Sequence, residues 1–253
     1  MKLGAGGIVI LLVISLLTGR NLFDDAGSGL TTGGGGGTFT AADSAAEEEM
    51  VEFVSFVLDD AQATWTRAFS QAGEQYRDAR LVLFREAVQS QCGVGQSGMG
   101  PFYCPLDESV YLDLAFFDEL ERRFGAPGDF AQAYVIAHEI GHHVQHQLGI
   151  ADRVRAAQRN DPSRANEMSV QMELQADCYA GVWGYGTARR DLLERGDVEE
   201  ALGAASAIGD DRIQAQTQGQ VQPESFTHGT AAQRVAAFRR GLQSGDPGVC
   251  GGS

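Results

Sequence analysis

The residues of this chain that most clearly indicate chemistry are two histidines four positions apart and the glutamate that follows the first of them. His138, Glu139 and His142 form the pattern H-E-x-x-H in a stretch that predicts a helix. Residues i and i+4 lie one turn apart on the same helix face, so both imidazoles can bind one Zn²⁺ ion. Glu139 can then act as general base on the water that completes the coordination.

A catalytic zinc ion needs a third protein ligand and a fourth position that is open to water. Glu173 and Asp177 follow further along the chain, again at i and i+4 of a predicted helix. This spacing suits Glu173 as a ligand and Asp177 as an outer carboxylate that accepts the N–H of a zinc-bound imidazole. In a chain with 34 acidic residues the pair could also be solvated, but the H-E-x-x-H helix favours the ligand interpretation. Glu167, the nearest rival ligand, lacks an acid at i+4.

Taken together with other short stretches, these motifs resemble those of the bacterial neutral zinc metallopeptidase family of membrane-anchored proteins. The resemblance runs over nearly the whole chain and rests on LLVISLL at 11–17, GPFYCP at 100–105, VYLD at 110–113, AHEIGHHVQ at 137–145, ELQADCYAGVW at 173–183 and THG at 227–229. It implies a zincin fold with His138, His142 and Glu173 as zinc ligands. It also implies Glu139 as the catalytic base, but it implies no particular substrate.

The pattern is also similar to that of thermolysin-like and CAAX-type membrane proteases, in which a further histidine follows near the reacting carbonyl. His228 lies at the corresponding place, just before a predicted helix at residues 231–242. It could donate a hydrogen bond to the oxyanion as it forms, or it could only hold a loop–helix junction. Gly229 stands where CAAX-type relatives usually carry proline. Arg234 could pair with acids near the metal, although a surface or structural arginine is favoured.

Three neighbours of the ligands are predicted to lie outside the metal site. His143 points about 100° away from His142 on an ideal helix and cannot easily share the metal. His146 continues the ligand stripe and could line the cleft, but a solvated histidine at the helix end is favoured. Tyr134 could reach the site, but packing in the core is favoured. An apolar stripe on the opposite face of the helix should pack in the core; it consists of Ile136, Ile140, Val144 and Leu148. Gly141 leaves room for a neighbouring helix to approach closely.

The remaining periodicity predicts an α+β fold that is predominantly helical with a small β-sheet, and the family resemblance implies that this domain is zincin-like. Strands are predicted at residues 81–84 and 110–114. Helices are predicted at 47–69, 116–124, 129–149, 165–188, 198–208 and 231–242. Because zincins bind an extended peptide against an edge strand above the metal, residues 110–113 are predicted to be that edge.

The amino-terminal part of the chain predicts a membrane anchor. Residues 3–19 are apolar and long enough to reach the lower limit for a spanning helix. We expect residues 1–19 to be an uncleaved anchor with the amino terminus inside, and a cleaved signal peptide is the alternative. Residues 20–46 read as a linker with a glycine run at 33–37, and residues 47–253 as the peptidase domain. A net charge of −15 argues against nucleic acid as a partner.

Four cysteines allow three pairings, and none has the C-x-x-C spacing of a structural zinc site. Cys92–Cys104 would close a glycine-rich loop, and Cys178–Cys250 would then tie the carboxyl-terminal tail to the Glu173 helix. Reduced cysteines in a cytosolic protein are the alternative. The even count after an apparent export segment favours disulfides. The predicted location is therefore the cell membrane, with a single span and an extracytoplasmic catalytic domain.

These features predict a zinc-dependent endopeptidase that hydrolyses peptides or proteins at the cell envelope. The main alternative is a non-catalytic scaffold that carries zinc and binds cell-envelope partners, although a structural site does not need a glutamate between its ligands. A di-iron protein would need two E-x-x-H motifs on separate helices, and only one is present. A hydrolase of non-peptide substrates with the same metal site stays open.

Overall fold

Helices make up most of the part of the chain that the structure describes. A computed structural model describes residues 41–96 and 100–251, with side chains from residue 47 onward. Eight α-helices occur in these ranges: α1 (Ala41–Gln71), α2 (Phe116–Arg122), α3 (Asp129–Gln147), α4 (Ile150–Asn160), α5 (Ala165–Ala188), α6 (Asp197–Ala207), α7 (Asp210–Gln218) and α8 (Ala231–Ser244). The predicted anchor at 1–19 and residues 20–40 of the predicted linker lie outside the described residues.

No helix in the described ranges combines the length and the apolar character needed to cross a membrane. The chain divides into two units between Glu49 and Met50, and the predicted site residues all belong to the second unit. Helix α1 begins at Ala41, within the stretch predicted to be a linker.

Five short strands form one three-stranded sheet and a separate hairpin. The strands are β1 (Arg80–Phe84), β2 (Ala87–Ser90), β3 (Gly93–Gln96), β4 (Phe102–Cys104) and β5 (Ser109–Asp113). The sheet has the order β1-β5-β4, with β5 parallel to β1 and antiparallel to β4, while β2 and β3 pair with each other. A mostly helical domain with a small sheet confirms the predicted α+β class.

The prediction that residues 110–113 form an edge strand is wrong. These residues belong to β5, which is hydrogen-bonded on both sides and buried at all five positions. A fully buried strand between two neighbours reads as a short apolar run, and an edge strand with one buried face can look the same in sequence. The edge strands of the described three-stranded sheet are β1 and β4, each of which pairs only with β5.

Helix α3 lies at the centre of the domain and is buried along most of its length. Ile136, Ile140 and Val144 of the predicted apolar stripe are fully buried, whereas Leu148 lies past the helix end and is 42% exposed. The helix stops because Gly149 takes a left-handed conformation (φ 66°) and starts α4 in a new direction.

Two close helix crossings bring α3, α5 and α8 together. A Cβ at Gly141 of α3 would lie 3.0 Å from the Cα of Ala176 on α5, so only glycine allows this approach. On the other side of α5, a side chain at Gly241 of α8 would collide with the carbonyl of Cys178. The predicted role of Gly141 is confirmed, and the crossing faces the H-E-x-x-H turns toward Glu173.

Both predicted disulfides are present, and the four cysteines of the chain are all paired. Cys92–Cys104 joins the β2–β3 hairpin to strand β4. Cys178–Cys250 joins α5 to the short 3₁₀ turn Pro247–Cys250 near the carboxyl terminus.

Candidate metal centre

Three side chains from two helices converge on one point. His138 and His142 come from α3 and Glu173 comes from α5, with His138 Nε2 3.1 Å from Glu173 Oε2 and His142 Nε2 3.4 Å from Oε1. One ligand atom from each residue lies within 4.8 Å of the others. A tetrahedral zinc site with bonds of about 2.0–2.1 Å has ligand atoms about 3.3 Å apart, so these separations fit zinc. Two imidazoles and a carboxylate are also the protein ligands of many catalytic zinc sites.

The outer carboxylate predicted from the sequence lies behind the first histidine. Nδ1 of His138 is 2.8 Å from Oδ1 of Asp177, and Asp177 is fully buried. When Nδ1 donates its proton to this carboxylate, the lone pair of Nε2 is left for a metal ion. The i, i+4 spacing of Glu173 and Asp177 therefore places one acid on each side of the same imidazole.

Two further buried side chains hold Asp177. Arg234 of α8 donates to both carboxylate oxygens, from Nε to Oδ2 and from Nη2 to Oδ1, each at 2.9 Å. The hydroxyl of Tyr134 donates to Oδ1 as well. Arg234 is only 2% exposed. The sequence favoured a surface or structural arginine, but the structure contains the other option, in which Arg234 pairs with an acid near the metal. Tyr134 is both in the core, as expected, and in contact with the site.

The second histidine has an equivalent partner that the sequence analysis missed. Nδ1 of His142 is 2.9 Å from Oε1 of Gln145, and Gln145 is fully buried. Because Gln145 is three residues beyond His142 on the same helix, the spacing alone could have identified it.

The electrostatics of the site favour a cation between the three side chains. Burial acts to lower the pKa of His138, but Asp177 and Glu173 outweigh it and raise that pKa to about 10. Burial is likewise outweighed at His142, whose pKa is raised mainly by Glu173. Burial acts to raise the pKa of Glu173, yet the two histidines hold it well below its usual value. A divalent cation would replace the protons that this carboxylate attracts to the imidazoles.

The predicted catalytic base lies beside the ligands and keeps its carboxylate available. Glu139 is 7% exposed and lines a cavity of about 650 Å³ that also contains His138, His142 and Glu173. It forms no hydrogen bond with any residue in the described ranges. A buried carboxylate is normally paired, so this arrangement leaves Glu139 free to accept a proton from a molecule in the cavity.

The wall of the cavity combines an aromatic side with polar groups. Phe116 and Phe124 form part of the apolar lining, and strand β4 contributes Tyr103. His146 also lines the cavity and only 23% of its side chain is exposed, so the prediction of a solvated helix-end histidine is wrong.

His228 lines the same cavity and is held by an acid that the sequence did not single out. Asp210 accepts hydrogen bonds from the backbone N–H groups of residues 227, 228 and 229, and its Oδ1 is 3.2 Å from Nδ1 of His228. Gly229 has φ 90°, a value that proline cannot adopt, so proline could not replace Gly229 in this conformation. The His228 side chain is 51% exposed, and its contact with an oxyanion stays a prediction.

Two other residues are outside the metal site, as expected. His143 is fully buried against Tyr103 and the carbonyl of Arg77. Glu167 is exposed and pairs with Arg164 at 2.8 Å.

Residues 1–252 match the family described as "Putative neutral zinc metallopeptidase". In Escherichia coli (strain K12), the protein named "Uncharacterized protein YpfJ" is 50% identical over 248 residues, which are 98% of this chain and 86% of that relative. In Mycobacterium tuberculosis (strain ATCC 25618 / H37Rv), "Uncharacterized protein Rv2575" is 46% identical over 186 residues, 69% of this chain and 62% of that relative. No solved structure matches the chain. On the family match and these identities, the chain belongs to the neutral zinc metallopeptidase family.

Proposed function

We propose that this protein is a zinc-dependent endopeptidase with a zincin-like site. The observation that carries the proposal is Glu139, a buried and unpaired carboxylate that faces the cavity next to three residues able to hold zinc. A site that only stabilised the fold would gain nothing from leaving this carboxylate without a hydrogen-bond partner.

The side chains divide the chemistry among them. When bound, zinc supplies a Lewis acid that acidifies a water molecule and polarises the peptide carbonyl. His138, His142 and Glu173 would hold it. Glu139 takes the proton from the attacking water and passes it to the leaving amine. His228 donates a hydrogen bond to the carbonyl oxygen as negative charge develops there.

Strand β4 is the proposed guide for the substrate. It pairs with β5 along one edge only among the described strands, and its residues Phe102 and Tyr103 line the cavity. An extended peptide can add to such an edge through backbone hydrogen bonds, and side-chain pockets then select its residues. An internal segment of a polypeptide suits this geometry, which supports an endopeptidase. Strand β4 replaces residues 110–113 in this role.

We also propose that the enzyme is attached to the cell membrane and that its catalytic domain is extracytoplasmic. The apolar residues 3–19 support a single span, and two disulfides support an oxidising compartment. The substrates would then be peptides or proteins of the cell envelope. With a net charge of −15, nucleic acid is not a proposed partner.

The alternative is a zinc-bearing scaffold that binds cell-envelope partners without catalysis. Both proteins would bind zinc, so metal content does not separate them. The test is cleavage-site profiling, in which a peptide library is incubated with the zinc-loaded protein or with its Glu139→Gln variant. We expect new amino termini with the parent and none with the variant. No cleavage by the parent would favour the scaffold, and equal cleavage by both proteins would show that Glu139 is not the base.

A further inference from the structure

His142 is connected to the carboxyl-terminal turn by a chain of side-chain hydrogen bonds. Its Nδ1 is 2.9 Å from Oε1 of Gln145, and Nε2 of Gln145 donates to Oε1 of Gln175 at 3.0 Å. Nε2 of Gln175 then donates to the carbonyl of Cys250 at 3.2 Å. A second bond from Gln145 Nε2 reaches the carbonyl of Met172 at 2.7 Å. We call Gln145 and Gln175 the amide relay.

The backbone carbonyl of Cys250 determines how both amide groups of the relay are oriented. Backbone carbonyls can only accept hydrogen bonds, so Gln175 must turn its NH₂ group toward Cys250 and its oxygen toward Gln145. Gln145 must in turn direct its NH₂ group to Met172 and Gln175, which leaves its oxygen facing His142. An oxygen at that place requires Nδ1 of His142 to carry the proton.

Reversing the relay would be unfavourable. Gln145 is fully buried, and a flipped amide would set its oxygen against the Met172 carbonyl and its NH₂ group against the Nδ1 proton. Buried polar groups that lose their partners cost about 1–3 kcal/mol each. The Cys178–Cys250 disulfide holds the final carbonyl in place, and both cysteines are buried.

We propose that Gln145 and Gln175 are positioning residues that hold His142 in the tautomer whose Nε2 lone pair binds the metal. The inference rests on the proposed zinc site. The amide relay accepts a hydrogen bond from Nδ1 of His142, as Asp177 does from Nδ1 of His138, but it uses neutral amides instead of a charged carboxylate.

The first measurement is the zinc dissociation constant of the full chain, obtained by competition with a chelator. Gln145→Met keeps a similar shape but replaces the amide oxygen with a sulfur that accepts the Nδ1 hydrogen bond only weakly, and we expect zinc binding about 10–100-fold weaker. Gln175→Met should weaken binding in the same direction by a smaller factor. Gln171→Met is the matched control, because Gln171 is exposed on α5, the helix that also carries Gln175, and forms no hydrogen bond with the described residues. Wild-type affinity in Gln145→Met would overturn the proposal, and wild-type affinity in Gln175→Met would remove the second amide from it.

The second measurement needs no zinc, and its decisive result comes from the wild-type protein. In the metal-free wild-type protein, at a pH where His142 is neutral, nitrogen-15 NMR of the imidazole should show the proton on Nδ1. Gln145→Met should shift the ring toward the Nε2-protonated form. A wild-type ring protonated on Nε2 would overturn the relay even if Gln145→Met did not fold. If the chain bound no zinc while the ring carried its proton on Nδ1, the zinc function would fail and the relay would stand.

Discussion

Arg234 and Asp177 form a buried ion pair joined at two points, with Nε bonded to Oδ2 and Nη2 bonded to Oδ1 at 2.9 Å each. The pair links α8 to α5 directly behind His138. Burial acts to raise the pKa of Asp177, but Arg234 and His138 outweigh it and hold that pKa at about 2. The carboxylate therefore stays charged and accepts the hydrogen bond from Nδ1 of His138.

Removing the cation from this pair should strongly destabilise the fold. Arg234→Met leaves Asp177 charged and buried without its partner, which should cost about 3–5 kcal/mol in the free energy of unfolding. Denaturant titration measures the loss. Arg240→Met is the matched control, because Arg240 is exposed on the same helix. Equal stability of the two variants would mean that the pair does not hold α8 against α5.

Glu139→Gln separates catalysis from metal binding. The amide is nearly isosteric and Glu139 is not a ligand, so one zinc per chain and the unfolding temperature should be retained. Peptide hydrolysis should fall by about 10²–10⁴-fold, because the amide cannot take a proton from water. Metal analysis and a peptide substrate found by cleavage profiling provide the two measurements. Undiminished hydrolysis would show that another group is the base.

The third ligand can be tested against its rival in sequence. Glu173→Ala removes one of three ligand atoms and should abolish or greatly weaken zinc binding, because a site with two protein ligands holds metal poorly. Glu167→Ala should bind zinc as the wild type does, since Glu167 is exposed and pairs only with Arg164. Titration with a zinc-responsive dye distinguishes them, and the opposite order would reassign the ligand.

The loop that carries His228 should lose support in acid. Burial acts to raise the pKa of Asp210, but His228 and the backbone N–H groups lower it below 3.8. A lowered carboxyl pKa contributes stability above pH 3.8, and that contribution is lost as the pH falls through the folded-state pKa. We expect Asp210→Asn to be about 1–3 kcal/mol less stable at pH 6 and to approach the wild type in acid. A stability difference that does not change between pH 6 and 2.5 would contradict this.

The predicted anchor can be tested by fractionation. If residues 1–19 stay attached to the chain and span the membrane, the full-length protein should remain in the membrane fraction after high-salt washing. Mass spectrometry should find the leader intact. A soluble form that starts near Arg20 would indicate a cleaved signal peptide instead.

The ligand helices could be predicted from the sequence because the spacing of the metal-binding residues matches one turn of a helix. Helix α5 has the predicted bounds, and α3 differs only at its end, where Gly149 takes φ 66°. The spacing of Glu173 and Asp177 was enough to place an acid on each side of His138.

Features that depend on distant partners could not be predicted. Strand β5 is central because residues 80–84 and 102–104 both pair with it, and no local pattern records those pairings. Arg234 is buried because it pairs with Asp177, which is 57 residues away in sequence. Gln145 could have been identified from its spacing to His142, but the role of Gln175 depends on the backbone carbonyl of Cys250, 75 residues away.

The Cys178–Cys250 bridge, whose two cysteines are 72 positions apart in sequence, sets an order of maturation for the metal centre. A growing chain that has just completed α5 already contains all three ligand side chains. It still lacks Arg234 to neutralise Asp177, the Cys250 carbonyl that orients the glutamines, and the bond that fixes that carbonyl. The ligands are therefore synthesised before their supports, which require Arg234, Cys250 and the oxidation of Cys250. Newly made protein should acquire tight metal binding only after Cys250 has been added and its disulfide has formed.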